Sequence, residues 1–396
     1  MELMRHIWAL SQEIGPRGST TPAEARAADY IDQEMSRWAS EVRRQEFMSP
    51  TSFSWIYGAL YLLGGLAGLL YWVNHWLATA ISLLALILFV MENSSRGSFW
   101  KLFPKKPSQN VIGIVRPKGE ATSSTSSSPI SIPRPIPKRV VLVAHHDSSR
   151  SASMFSPEQV PYFRLTFLLG TACLAVVPLL NLLSLVFPRW LWIPYAQTPF
   201  YLYLLAAFLL MVHRELSGEY TPGANDNASG EAAMLAVGER LAQEGLNHIE
   251  LWCVSTGCEE VGTIGMIYFL DEYGPQLRDA YFINLDNLGT GTVKYTTGEG
   301  MLAVYPCDEY LVGVARRVSA GHPEWGIQEA VNQIMMTDAN PALARGFRIL
   351  SIRAEDENGL LPNWHWYTDT YDNIDPKTMG VVANFLYALV RAIEAD

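Results

Sequence analysis

Two imidazoles and a set of carboxylates stand out because each lies where a strand-like or helix-like run of sequence begins or ends. In RVVLVAHHDSSR (139–150), a β-branched and aliphatic run stops at His145, His146 and Asp147. Glu259 and Glu260 (STGCEEVGTIG) follow a second such run, and Asp286 ends a third. Asp226 (GANDNASG) immediately precedes a helical stretch, and His365 (NWHWYTDT) lies in the loop before the last one. In open α/β sheets, ligands bind beyond the carboxyl ends of the strands, so all these groups can converge on one rim. Histidines and carboxylates without a thiolate suit zinc, or a similar divalent ion, at an open hydrolytic site. Asp226, Glu260 and Asp286 in one cavity would repel each other and raise each other's pKa, and two divalent cations would neutralise them. Taken singly, an HxD at a strand end is more often a structural accident, and a Glu-Glu pair more often solvated surface. Their order and shared placement carry the joint reading.

The frame that must position them is α/β. Thr21-Pro22-Ala23-Glu24 has the form of an N-cap followed by proline at the first helical position. Ala28, Ile31, Met35 and Trp38 then recur at the helical period. Residues 41–47 read as an edge strand, and 109–116, 138–144, 248–255, 280–286 and 347–353 as further strands. Helices are expected at 228–244, 307–319 and 377–395. Strands alternating with helices predict a mixed, mostly parallel sheet sandwiched by helices. Residues 119–137 are rich in Ser and Pro and read as a flexible loop.

Composition adds a membrane component. Hydrophobic residues make up 49% and charged residues only 17% of the 396, with 12 Trp and 18 Tyr. From Thr51 to Met91 there is no Asp, Glu, Lys or Arg, which is room for two spans of about 20 residues and a turn. Asn74-His75, flanked by Trp72 and Trp76, is the expected turn between spans at 53–72 and 76–92. Gly64 and Gly68 allow close helix approach. A second apolar block, Leu165 to His213, carries only Arg189 as a formal charge and predicts spans at 164–186 and 192–213. Two hairpins return the chain to one side each time. That side carries Arg43, Arg44, Arg96, Lys101, Lys105, Lys106, Arg164 and Arg214 near the spans, which predicts a cytoplasmic larger domain. The expected organisation is a discontinuous domain of 1–50, 93–160 and 214–396, interrupted by hairpins at 51–92 and 161–213.

Other classes are excluded or unsupported. A net charge of −10 with no long basic run argues against nucleic acid. Cys173, Cys253, Cys258 and Cys307 fit no zinc knuckle and are expected to be buried thiols. The stretch MELMRHIWALSQEIGPRGS lacks the apolar core and cleavage site of a signal peptide.

In order along the chain, IGPRGSTTPAEARAADYI, AHHDS, GANDNASGEAAML, CEEVGTIGM, INLDNLG and WHWYTDTYDNID span nearly all of the non-membrane sequence. In this combination the chain resembles metallopeptidase family 28, the di-zinc aminopeptidases. The superfamily also holds carboxypeptidases, glutaminyl cyclases and transferrin-receptor-like domains. The resemblance implies two Zn2+ (with Co2+ or Mn2+ as substitutes) held by His145, Asp226, Glu260, Asp286 and His365, Asp226 bridging. It implies Glu259 as general base, Asp147 as the group orienting His145, and His146 as the variable middle residue. The implied activity is exopeptidase hydrolysis of a peptide substrate by a water activated between two metals. In place of the family's frequent Asp-His pair stand Asp338 and Ala339, a departure that falls on the substrate pocket and not on the metal ligands. The second hairpin falls between His145 and Asp226, an insertion at the expected active-site rim that would bring the site near the lipid bilayer. A glutaminyl-cyclase-like acyltransferase with one zinc and a non-catalytic membrane receptor or scaffold are the alternatives. Oligomeric state and the end of the peptide released are left open.

Overall fold

A computed structural model describes residues 2–96, 99–118 and 138–396. The Ser/Pro-rich stretch 119–137 lies outside the described residues. The first part of the chain forms helices α1 (Leu3–Trp8) and α2 (Pro22–Met35), strand β1 (Glu41–Ser49), helices α3 (Phe53–Leu70) and α4 (His75–Met91), and strands β2 (Lys106–Val115) and β3 (Lys138–His145). Next come α5 (Phe163–Val186), α6 (Ile193–Ser217), α7 (Ser229–Glu244), β4 (Ile249–Thr256), α8 (Ile264–Tyr273) and β5 (Tyr281–Leu285). The last part forms β6 (Thr292–Glu299), β7 (Tyr305–Pro306), α9 (Glu309–Gly321), β8 (Gln328–Asn332), α10 (Ala339–Ala344), β9 (Arg348–Glu355) and α11 (Pro376–Ala395). The described residues divide into two compact units: Met1–Ser49, Lys106–Ser149 and Tyr220–Asp396 in the first, Pro50–Lys105 and Arg150–Glu219 in the second.

The first unit is built on a mixed sheet in the order β1-β2-β4-β3-β5-β9-β6-β7, with β8 pairing β6. Its centre, β4-β3-β5-β9, is parallel, and antiparallel pairs flank it. Alternation of side chains assigns each strand two faces. Leu142, Ala144, Ile283, Leu285, Leu350 and Ile352 pack with α7 and α11 on one face. Val141, Val143, Phe282 and Ile349 pack with α8 and α10 on the other. Thr21 caps α2 as its sequence suggests, accepting the Glu24 N–H at 3.3 Å. The sequence reading had no element for β6, β7, β8, α1, α8 or α10. In β6 (TVKYTTGE) only Val293 and Tyr295 join the core, so the apolar alternation is too short to stand out.

The second unit is the four helices α3–α6 with their flanking turns. They are 18, 17, 24 and 25 residues long, and all four are apolar enough to cross a membrane. Asn74 caps α4 by accepting the Leu77 N–H at 3.0 Å, which fixes the turn after α3. A Cβ on Gly64 would meet methyl groups of Leu174 and Leu204 at 2.8 Å, and one on Gly68 would meet the Tyr201 ring at 2.3 Å. At these glycines the neighbouring helices approach α3 too closely to leave room for a Cβ. Large apolar side chains such as Leu84, Ile87, Val90, Leu165, Leu202 and Leu209 are exposed. The unit extends beyond the expected hairpin limits: α6 continues to Ser217, and Arg214 and Glu215 hydrogen-bond Ser54 and Ser52 at 2.9 and 2.5 Å. A fifth helix of suitable length and hydropathy is α11, whose Met379, Phe385, Leu389 and Ile393 lie in the first unit's core.

Candidate metal centre

His145 is the last residue of β3, registered against Thr256 at the end of β4. Asp286 follows β5 directly. Beyond β4 the chain turns sharply, with Cys258 at φ +54°, into the short turn Glu259–Val261. Asp226 precedes α7, and His365 (φ +52°) lies between β9 and α11. The fold therefore brings all the sequence-indicated groups to the carboxyl ends of the central parallel strands, and every one of them is buried.

Asp226 stands at the middle. Its Oδ1 is 3.1 Å from His145 Nε2 and its Oδ2 is 3.0 Å from His365 Nε2. Glu260 Oε2 is also 3.0 Å from His365 Nε2, and Asp286 Oδ1 is 3.7 Å from His145 Nε2. Two trios result, His145–Asp226–Asp286 and Asp226–Glu260–His365, each with one ligand atom per residue within 4.8 Å of the others. Glu259 belongs to neither trio, and its Oε2 is 4.0 Å from His145 Nε2.

The electrostatics are those of crowded buried anions. Burial pushes the Asp286 carboxyl up to about 6. Burial, together with Asp338, Asp286 and Glu260, holds Glu259 well above the ordinary range against the pull of His145. Burial opposes charge on His365, yet Glu260 and Asp226 raise it to about 9. Asp226 is driven below its usual value despite burial, because both histidines donate to it. Each imidazole lies between two of these carboxylates. The donor set fits divalent cations: nitrogen and oxygen ligands, no sulfur, one carboxylate with an oxygen for each trio, and Glu260 Oε1 buried without a hydrogen-bond partner among the described residues.

Asp147 does more than face His145. The His145 Nδ1 lies 3.2 Å from the Asp147 carbonyl and 3.5 Å from its carboxylate. That carboxylate accepts the N–H groups of Glu259 (3.1 Å) and Glu260 (3.2 Å) and the Ser19 hydroxyl (2.6 Å). Asp147 thus ties the end of β3 to the Glu-Glu turn. His146 faces away, its Nδ1 2.8 Å from Ser255 Oγ, which in turn donates to Glu231 at 2.5 Å, and it enters neither trio. Asp338 accepts the Thr256 hydroxyl at 2.5 Å, and burial pushes its carboxyl to about 7.

Two residues without a role in the sequence reading hold the site in shape. Asp369 accepts the N–H groups of Asn225 (2.5 Å) and Asp226 (3.1 Å), so it orients the shared carboxylate from behind. Its only sequence signal was its place four residues after His365 in the WHWYTDT run. Asp369→Asn puts an amide N–H against a backbone N–H, and zinc affinity is expected to fall about 10–100-fold, as measured by competition with a chelating dye. Arg17 is fully buried and donates to the carbonyls of His146 (2.8 Å), Leu10 (2.9 Å), Gly15 (3.2 Å), Pro222 (2.6 Å) and Gly223 (2.9 Å). It clasps the segment carrying His145 to the segment carrying Asp226, across the 70 residues from 150 to 219 that depart and return here. The Thr221 N–H donates to the Ser149 carbonyl at 2.9 Å and closes the same mouth. Arg17→Met strands several buried carbonyls, and a loss of about 3–5 kcal/mol in thermal or chemical unfolding is expected.

Residues 207–390 match the family model for Peptidase family M28. No curated protein matches the chain by sequence. Among solved structures the fold is similar to BSAP, a zinc aminopeptidase from Bacillus subtilis, at 14% identity, 98% of this chain, 93% of that chain and a TM-score of 0.56. It is similar to a Zn-dependent exopeptidase from Parabacteroides distasonis at 15% identity, 98% and 95% coverage and a TM-score of 0.55. A glutaminyl cyclase from Bacteroides thetaiotaomicron bound to N-acetylhistamine is similar at 15% identity, 98% and 96% coverage and a TM-score of 0.55. The first unit therefore has the mixed α/β fold also found in these zinc exopeptidases, and the family match over residues 207–390 supports a hydrolase.

Proposed function

We propose that the chain is a membrane-bound, zinc-dependent exopeptidase acting as an aminopeptidase. The observation that carries this reading is the Asp226 carboxylate, which offers one oxygen to each of two ligand trios. His145, Asp226 and Asp286 would hold one zinc ion, and Asp226, Glu260 and His365 the other. When bound, the two ions supply Lewis acidity to a peptide carbonyl and make a water acidic near neutral pH. Glu259, free of both trios and close to His145, takes the proton from the attacking water and delivers it to the departing amine. Asp147 keeps Glu259 and Glu260 in place through their backbone N–H groups. The fold similarity to glutaminyl cyclases supports an acyltransferase as a second reading. The shared carboxylate favours the two-metal hydrolase over a single-zinc cyclase.

Four apolar helices in two hairpins support integral membrane attachment, and the basic residues flanking them, such as Arg43, Arg44, Lys105 and Lys106, support a catalytic unit on the cytoplasmic side. The substrates in this reading are short hydrophobic peptides or the tails of membrane proteins. Purified protein in detergent is expected to release free amino acids from leucyl peptides and not from their N-acetylated forms. Formation of pyroglutamyl products from glutaminyl peptides, without hydrolysis, would replace this reading by the cyclase.

A further inference from the structure

Three asparagines in the stretches GANDNASG and INLDNLG surround the metal trios without belonging to either. Asn225 and Asn227 flank Asp226, and Asn287 follows Asp286. All three are buried. Each is an amide among carboxylates. It brings two donor hydrogens and an acceptor oxygen, and it adds no negative charge to a centre already crowded with anions.

Their hydrogen bonds form a relay whose direction the backbone fixes. The Gly289 N–H can only donate, and it donates to Asn225 Oδ1 at 2.6 Å. Asn225 Nδ2 therefore faces the other way, and its two hydrogens reach the Pro362 carbonyl at 2.9 Å and Asn287 Oδ1 at 3.3 Å. With its oxygen so used, Asn287 turns Nδ2 to Asp286 Oδ1 at 2.8 Å. That oxygen is the one 3.7 Å from His145 Nε2. Pro362 lies in the loop that carries His365. Two amides thus connect the His365 loop, which serves one trio, to Asp286, which serves the other. Asn227 and Ser229 brace the relay from the Asp226 side. Asn227 Nδ2 donates to the Leu285 carbonyl at 2.8 Å, and its Oδ1 accepts the Asn287 N–H at 3.3 Å. Ser229 donates to the Asn225 carbonyl at 2.6 Å and accepts the Leu288 N–H at 2.9 Å. Asn287 itself has φ +55°, a left-handed backbone that asparagine tolerates and glycine adopts freely.

We propose that Asn225 and Asn287 are positioning residues that couple the two metal positions. Asn287 aims the Asp286 carboxylate, and Asn225 ties that carboxylate to the loop carrying His365. This rests on the two-metal reading of the centre and deepens it. A carboxylate with one oxygen held by an amide N–H loses its freedom to rotate, so it meets an ion at a set angle. Loss of Asn287 frees Asp286 alone and affects one position. Loss of Asn225 frees Asn287 and the Pro362 carbonyl together and affects both.

The test uses full-length protein in detergent, stripped with chelator and titrated with Zn2+ against a chelating dye, which resolves the two affinities. The same samples are loaded with Co2+ for visible absorption, and the metal-free forms are unfolded thermally. In Asn287→Gly, whose backbone is unstrained, one zinc affinity is expected to fall about tenfold or more while the other holds. In Asn225→Ala both are expected to fall by about that factor. The Co2+ absorption changes in both variants. If Asn225→Ala does not fold, Asn287→Gly carries the test alone. Two zinc ions bound with wild-type affinities in Asn287→Gly overturn the proposal and leave the two-metal reading standing. A lower unfolding temperature of the metal-free variants, with zinc affinities and Co2+ absorption unchanged, also overturns it, because the amides then serve only to hold the fold. A wild type that binds one zinc removes the two-metal reading and the coupling with it. Asn287→Gly then reports on aim alone: a weaker ion keeps Asn287 as the residue that positions Asp286, and an unchanged one overturns that as well.

Discussion

Glu259→Gln lowers kcat by about 10²–10⁴-fold and leaves metal content unchanged. The expectation follows from its position. Glu259 is outside both ligand trios, yet its carboxylate reaches within 4.0 Å of His145 Nε2. Glutamine keeps the size and the backbone N–H held by Asp147, so the turn and the neighbouring Glu260 stay in place. The split between lost turnover and retained metal separates a proton-transfer group from a ligand. A variant with the wild-type rate would show that another group moves the proton.

Asp226→Ala has the widest structural effect, because one carboxylate serves both trios. Outer residues that only orient ligands cost about 10–100-fold in metal affinity when changed, so removing a shared ligand is expected to cost more than about 100-fold at both positions. Activity is lost with it. A second readout is thermal stability, since a ligand that binds only the folded chain stabilises it in proportion to RT ln(1 + [L]/Kd). Added zinc is expected to raise the melting temperature of the wild type clearly and that of Asp226→Ala hardly at all. An equal rise in both would place zinc elsewhere.

The groups that meet in the centre were legible because their positions are local: each lies at the end of a β-branched run or at the start of a helix. The four long helices were legible for a similar reason, since 41 residues from Thr51 to Met91 without a charge have few other uses. Arg17 was not legible, because its partners at Pro222 and Gly223 are 205 and 206 residues away in the chain. Asp369 was not legible because it acts through the backbone of Asn225 and Asp226, which no spacing rule anticipates. The missed strands β6 and β8 lie beyond the central parallel strands, where short, half-polar segments carry little pattern.

The central claim is that two divalent cations share Asp226, and metal content per chain tests it most directly. Protein purified in detergent without chelator, analysed by mass spectrometry, is expected to hold about two zinc ions per chain. About one per chain would contradict the shared-carboxylate centre and favour the single-zinc cyclase, and none after zinc is added back would leave the buried trios without their ions.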